Sequence, residues 1–189
     1  MLFGKRVKLV PVEREHLGLL KQWRNDPDIR ESFFSSLPCT DLGQEIWYDR
    51  MIRGGRDVFL LVLHAGEGAA SGPAPVPIGY CAVSDIDWRK GRGVVSIILG
   101  EKEHWGKHLG VEVLNCLFEY AFSELALHKL YIYVLSDNLR SIELFKKFAP
   151  VEGQLAAHEF RDGQWKDVTL LGLTREVYFT QVRGKVPAP

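Results

Sequence analysis

With 189 residues, 46% of them apolar and 25% charged, the chain has the size and make-up of one folded domain able to bury its own core. Lysine plus arginine and aspartate plus glutamate stand at 24 each, a balance that argues against general nucleic-acid or membrane-surface binding, which draws on a basic excess. Cys39, Cys81 and Cys116 have no metal-ligand spacing and cannot form a complete disulfide set, so each reads as a reduced thiol among apolar neighbours, in a reducing cytoplasm.

The N-terminus is charged early and lacks the apolar run of a signal peptide, and no stretch approaches a membrane span. Residues 6–12 alternate polar and apolar and predict a strand. Leu17, Leu20 and Trp23 make a short helical stripe over 13–23, broken at Asn25-Asp26-Pro27. Thr40 or Asp41 caps a second helix with Ile46, Trp47 and Met51 as its apolar positions, ended by Gly54-Gly55. Residues 57–64, 77–86 and 94–99 read as strands. A Gly-, Pro- and Ala-rich mobile loop over 65–77 joins the first two, and a turn over 87–93 joins the last two. Leu114, Leu117, Phe118, Ala121, Phe122 and Leu125 share one helical face, which predicts a helix over 109–127. A strand over 129–135 follows, then a helix from Asp137 or Asn138 towards Phe148, and two strands over 153–160 and 165–173 around the turn Arg161-Asp162-Gly163. The tail over 182–189 reads as frayed. A single α/β (α+β) domain spanning 1–189 is expected, with a mixed, mostly antiparallel sheet of about seven strands and helices on both faces.

Residues 94–122 carry the chemistry. An apolar strand ends at Gly100, a polar loop with Gly106 and Gly110 follows, and a long helix begins. Unpaired amides and the dipole at that helix start favour an anion, and Lys107 adds a charge; a pyrophosphate suits the place. Taken alone, Gly-x-x-x-Gly is also a packing feature, and it is neither the dinucleotide fingerprint nor a P-loop.

Trp105-Gly106-Lys107-His108-Leu109-Gly110 resembles the acyl-CoA motif of the GNAT superfamily of N-acyltransferases. Trp23-Arg24-Asn25-Asp26-Pro27, Ile78-Gly79, Tyr120-Ala121-Phe122, His128-Lys129-Leu130, Asn138-Leu139-Arg140-Ser141-Ile142 and Gly163-Gln164-Trp165-Lys166-Asp167-Val168 are similar, in order and spacing, to its ribosomal-protein N-terminal acetyltransferase (RimJ/RimL-like) branch. The resemblance spans roughly residues 5–175. It implies acetyl-CoA as co-substrate, no metal, and direct transfer of acetyl to a primary amine of a protein N-terminus or a small molecule such as an amino sugar. It implies that Ile98, Leu99, Trp105, Gly106, Lys107, His108, Leu109, Gly110 and Asn138 hold the cofactor. The strand ending at Gly100 would splay from that over 129–135, with an amide near Leu99 facing the thioester oxygen. The first two helices would wall the acceptor cleft with Trp23, Arg24, Arg30, Glu31, Phe33 and Phe34. Cys116 is not needed as a nucleophile.

Two departures stand out. His108 replaces a glycine, and Phe145 stands where a tyrosine would protonate the leaving thiolate. Ser141 becomes the first candidate acid or water anchor. Asp85, placed near the expected cleft, and Glu103 and His104 are the candidate bases that transfer to a neutral amine requires. Each also has a plainer reading: Ser141 as a first-turn residue, His104 as an exposed loop residue, Trp23 as core, and Arg24 and Arg30 as solvated charges. The departures keep a non-catalytic acyl-CoA-binding or sensing domain as the alternative. Edge strands near the C-terminus allow a homodimer.

Overall fold

The computed structural model describes residues 1–35, 37–65 and 74–185. Its strands are β1 (Leu2–Phe3), β2 (Val7–Pro11), β3 (Val58–His64), β4 (Val76–Asp87), β5 (Arg92–Leu99), β6 (Lys129–Leu135), β7 (Val151–Arg161) and β8 (Gln164–Thr174). They form one sheet in the order β1-β2-β3-β4-β5-β6-β8-β7, antiparallel throughout except for β5 with β6. The sheet has eight strands rather than about seven. The addition is β1, whose two residues pair with Leu9 and Lys8 and are too few to show a period.

The helices are α1 (Leu17–Asn25), α2 (Pro27–Arg30), α3 (Asp41–Gly54), α4 (Leu109–Ser123), α5 (Leu139–Phe145) and α6 (Arg175–Val177), the last running into a π turn over Tyr178–Val182. Strand alternation divides the core. Leu60, Val62 and Cys81 face α4 and α5, while Leu61 and Tyr80 face α1 and α3. The stripe on α4 reads as expected, with Leu114, Leu117, Phe118, Ala121 and Phe122 fully buried. Each of these leucines and phenylalanines contributes about 1.5–3 kcal/mol.

Differences from the sequence reading have local causes. Helix α4 stops at Ser123 rather than near 127 because Ala126 turns left-handed, with φ 52°, and the Leu127 amide donates back to the Ala121 carbonyl at 3.1 Å. Asp26 does more than break α1: its carboxylate accepts from the Asp28 and Ile29 amides and starts α2, with Pro27 in the first turn. In α3, Thr40 and Gly55 cap as read, but Gln44, Tyr48 and Met51 are buried whereas Ile46 is exposed. The tail is shorter than expected, since Val182 is buried and Arg183 pairs with Glu119 at 2.7 Å. The loop expected over 65–77 falls largely on residues 66–73, and the end of the tail on 186–189, both outside the described residues.

Candidate active site

Strands β5 and β6 pair only from Arg92 with Lys129 to Val94 with Tyr131. Beyond that point β5 follows β4 as far as Gly79 opposite Leu99, while β6 follows β8 along its whole length, and the two halves of the sheet part. The Gly100 amide donates to the Ile78 carbonyl on β4 at 2.8 Å. Successive residues alternate sides, so the main-chain groups of Val95, Ile97 and Leu99 turn towards the opening. Gly79 permits the close approach on the closed side: a Cβ there would lie 2.1 Å from the Ile98 carbonyl oxygen.

The opening leads into a cleft of about 480 Å³ whose walls include Ile97, Ile98, Leu99, His104, Trp105 and Gly106. His108, Leu109, Gly110, Asn138 and Ser141 line it as well. Eight of the nine cofactor residues expected from the resemblance thus meet in one place. Lys107 does not line the cleft; its carbonyl accepts from the Arg6 guanidinium at 3.3 Å, which ties the loop to β2. A buried carboxylate completes that anchor. Glu112, in the first turn of α4, accepts from Arg6 Nε at 3.1 Å and from the amides of Arg6 and Val7.

The loop closes on two left-handed residues, Gly106 at φ 77° and His108 at φ 60°, the latter preceding α4. That conformation costs a residue with a Cβ about 1–2 kcal/mol. His108→Gly is therefore expected to raise stability by about 1 kcal/mol, less the chain entropy glycine adds to the unfolded state, readable as a higher urea midpoint. An unchanged or lower midpoint would contradict the strain. Gly110 faces α5, and a Cβ there would sit 3.1 Å from Leu144 Cδ2.

Trp105 spans the mouth. Its indole Nε1 donates to the Leu99 carbonyl at 2.8 Å, and the Arg140 guanidinium lies 4.6 Å from its ring centre. Arg140, Leu144 and Lys147 all line the cleft and were not singled out in the sequence. Their i, i+4, i+7 spacing after the Asn138 cap was the available signal. The Asn138 side chain accepts from the Ser141 amide at 3.1 Å, which fixes the first turn of α5.

The candidate catalytic groups separate. Ser141 and His104 reach the cleft, and His104 is buried rather than exposed. Its Nε2 lies 3.3 Å from Glu103, whose side chain is largely exposed and outside the cleft. Its Nδ1 is buried and has no partner among the described residues. The His64 ring is 4.8 Å away, and its pKa is pushed below the usual imidazole value by burial first and then by His104. Asp85 is not near the cleft. The β4–β5 register puts Gly79 at the cleft end and Asp87 at the other, so Asp85 lies six residues, roughly 20 Å, away. It is exposed, and its amide is held by Asp57 at 2.9 Å. Phe145 is packed in the core beneath α5.

On the opposite wall, Asp28, Ile29 and Ser32 line the cleft. Trp23 does not. It is 2% exposed, its ring lies flat on Gly100, and its Nε1 donates to Glu101 at 2.8 Å. It is a core residue that locks α1 to the end of β5. Arg24 lies over the Phe33 ring at 5.2 Å, and Arg30 offers its carbonyl to Arg161. Arg24, Arg30 and Phe33 do not line the cleft itself; they lie beside Asp28, Ile29 and Ser32, which do.

The description "Acetyltransferase (GNAT) domain" matches residues 6–149. The chain belongs to the GNAT acetyltransferases. It is 27% identical to the uncharacterized N-acetyltransferase p20 of Bacillus licheniformis, over 94% of this chain and 97% of that protein. It is 26% identical to the spermidine N(1)-acetyltransferase of Escherichia coli, over 93% and 89%. The crystal structure of spermidine N-acetyltransferase from Vibrio cholerae in complex with CoA and spermine shares the fold, with a TM-score of 0.83 at 22% identity, over 93% of this chain and 99% of that one. The chain is thus an acetyl-CoA-dependent N-acetyltransferase. These relatives support the superfamily and not the ribosomal-protein branch in particular. Among the described residues no helix is long and apolar enough to cross a membrane, and no cluster of side chains could hold a metal ion.

Proposed function

We propose that the protein acetylates a primary amine of a small molecule at the splayed end of β5 and β6, with transfer directly from the thioester. The observation that carries this reading is the opening itself. It joins main-chain groups of β5 that β6 does not cover to the amide-bearing start of α4, complementary to an amide-containing arm that ends in phosphates. His108, Leu109 and Gly110 offer amides to the pyrophosphate, Arg140 on α5 and Lys147 just beyond it add charge, and Asn138 meets the arm. The thioester supplies the acetyl group, and the Leu99 amide is the donor placed for the oxyanion that forms there.

With Phe145 buried and without a proton, Ser141 is the cleft hydroxyl placed to protonate the thiolate, directly or through a water. His104 is the buried imidazole placed to take a proton from the amine. Ser141→Ala is expected to lower kcat about ten-fold with acetyl-CoA affinity unchanged. An unchanged kcat would assign protonation to solvent, which a thiol of ordinary pKa near 8.5 tolerates. The cysteines are unpaired thiols, in keeping with a cytoplasmic setting. The outer edge of β7 has no strand partner among the described residues, and pairing of this edge between copies would give a homodimer. A monomeric mass by light scattering would exclude the dimer.

Titration calorimetry with acetyl-CoA and CoA, with ATP as control, tests the cofactor site. Shared micromolar affinity for the first two is expected, together with amine-dependent release of free thiol. Absence of acetyl-CoA binding would overturn the enzyme reading.

A further inference from the structure

Two guanidinium groups converge on Phe33 with no carboxylate among the described residues to balance them. Arg161, at the end of β7, is 3% exposed. It donates to the carbonyls of Phe33 and Arg30, the second at 3.3 Å, and so closes the C-terminal end of α2. Those contacts supply hydrogen bonds but no counter-charge, and Arg161 Nε is buried without a partner among the described residues. From the other side the half-buried Arg24 lies 5.2 Å from the Phe33 ring centre. It also sits beside the hydroxyl of Tyr80, whose pKa burial pushes up to about 12.

Among the described residues neither arginine is within ion-pair distance of a carboxylate. The nearby acids are engaged elsewhere. Asp26 and Asp28 bind Lys102, the first at 2.8 Å, Glu101 accepts from Trp23, and Glu31 is exposed. Charges this far out of water are ordinarily paired, because an uncompensated one is costly. The same withdrawal from water makes an arriving anion feel both groups with little screening. Arginine also offers the planar fork that matches a carboxylate or a phosphate. The place is next to the chemistry, since Ser32, Ile29 and Asp28 line the cleft opposite β5.

We infer that the amine acetylated here belongs to a molecule that also carries an anionic group, a carboxylate or a phosphate, which docks on Arg24 beside Phe33 while Arg161 holds the wall and adds its charge. The inference rests on the N-acetyltransferase reading and narrows its substrate class. A polycation would meet two unbalanced positive charges at this wall.

Matched amines test it. With acetyl-CoA saturating, glucosamine 6-phosphate is compared with glucosamine, 4-aminobutanoate with 4-aminobutanol, and spermidine serves as the polycation. At least a ten-fold preference in kcat/KM for one anionic member over its neutral partner is expected, and it should weaken with added salt. The phosphate and carboxylate pairs distinguish the two anions. In Arg24→Gln the KM of the preferred amine rises about ten-fold or more while the acetyl-CoA KM is unchanged, and Arg24→Lys restores part of the loss. Arg161→Lys, which keeps the charge with fewer donors, is the second variant and retains the anion preference. Equal or better turnover of the neutral amines or of spermidine overturns the inference and leaves the acetyltransferase reading intact. Failure to bind acetyl-CoA overturns that reading instead.

Discussion

Gly110→Glu is expected to lower acetyl-CoA affinity by about 100-fold or more, close to 3 kcal/mol at 1.4 kcal/mol per ten-fold. Two effects combine. Gly110 is the second residue of α4, where free amides face the cleft, and a carboxylate brought there competes for the amides meant for the pyrophosphate and repels it. The new Cβ also points at Leu144 on α5, 3.1 Å away, so the longer side chain wedges α4 from α5 across the cleft. Gly110→Ala separates the two. Its Cβ meets the flexible end of Leu144 and makes an ordinary contact with Ile97 Cδ1 at 3.9 Å, and affinity should fall less than ten-fold. Calorimetric titration of both variants makes the comparison, with circular dichroism to show that each is folded. Unchanged affinity in Gly110→Glu would remove the start of α4 from the phosphate site.

Glu112→Ala is expected to destabilise the fold by about 3 kcal/mol or more, the low end of the cost of removing one partner from a buried ion pair. The carboxylate is 4% exposed and Arg6 17%, so Arg6 keeps some contact with water when its partner goes. Glu112 also accepts from the amides of Arg6 and Val7, and the variant leaves those donors without an acceptor. Glu112→Gln should cost less, because its amide oxygen can still accept from one of them. Removing Arg6 as well should recover only part of the loss, since the two amides remain unsatisfied. Urea denaturation reads all three variants. A loss below 1 kcal/mol in Glu112→Ala would show that water replaces the carboxylate. The link to function is direct: Arg6 holds the Lys107 carbonyl, so the acetyl-CoA KM should rise in the same variant.

Some of these features were legible in the chain and some were not. The stripe on α4, the strand over Lys129–Leu135 and the caps at Thr40, Gly55 and Asn138 depend on neighbours a few residues apart, and local spacing reports them faithfully. The stop of α4 at Ser123 was not legible, because the left-handed residue is Ala126 and no glycine announces it. Asp85 was misplaced for a different reason. Nothing local says which end of a strand faces the site; the β4–β5 register does. Trp23 read as acceptor wall by resemblance and more plainly as core, and the absence of a side chain at Gly100, 77 residues later in the sequence, makes the room that settles it as core.

By itself the sequence determined the type and order of nearly every element, the loop that precedes α4, and the residues around which a cofactor site would form. These follow from hydrophobic period, capping chemistry and glycine placement, all set within a turn or two of chain. Tertiary structure decided the rest: the parting of β5 from β6, the burial of His104, the Arg6–Glu112 anchor and the meeting of Arg24 with Arg161 at Phe33. Those contacts join residues brought together by sheet register and helix packing, and charge balance between such distant groups exists only once the chain has folded.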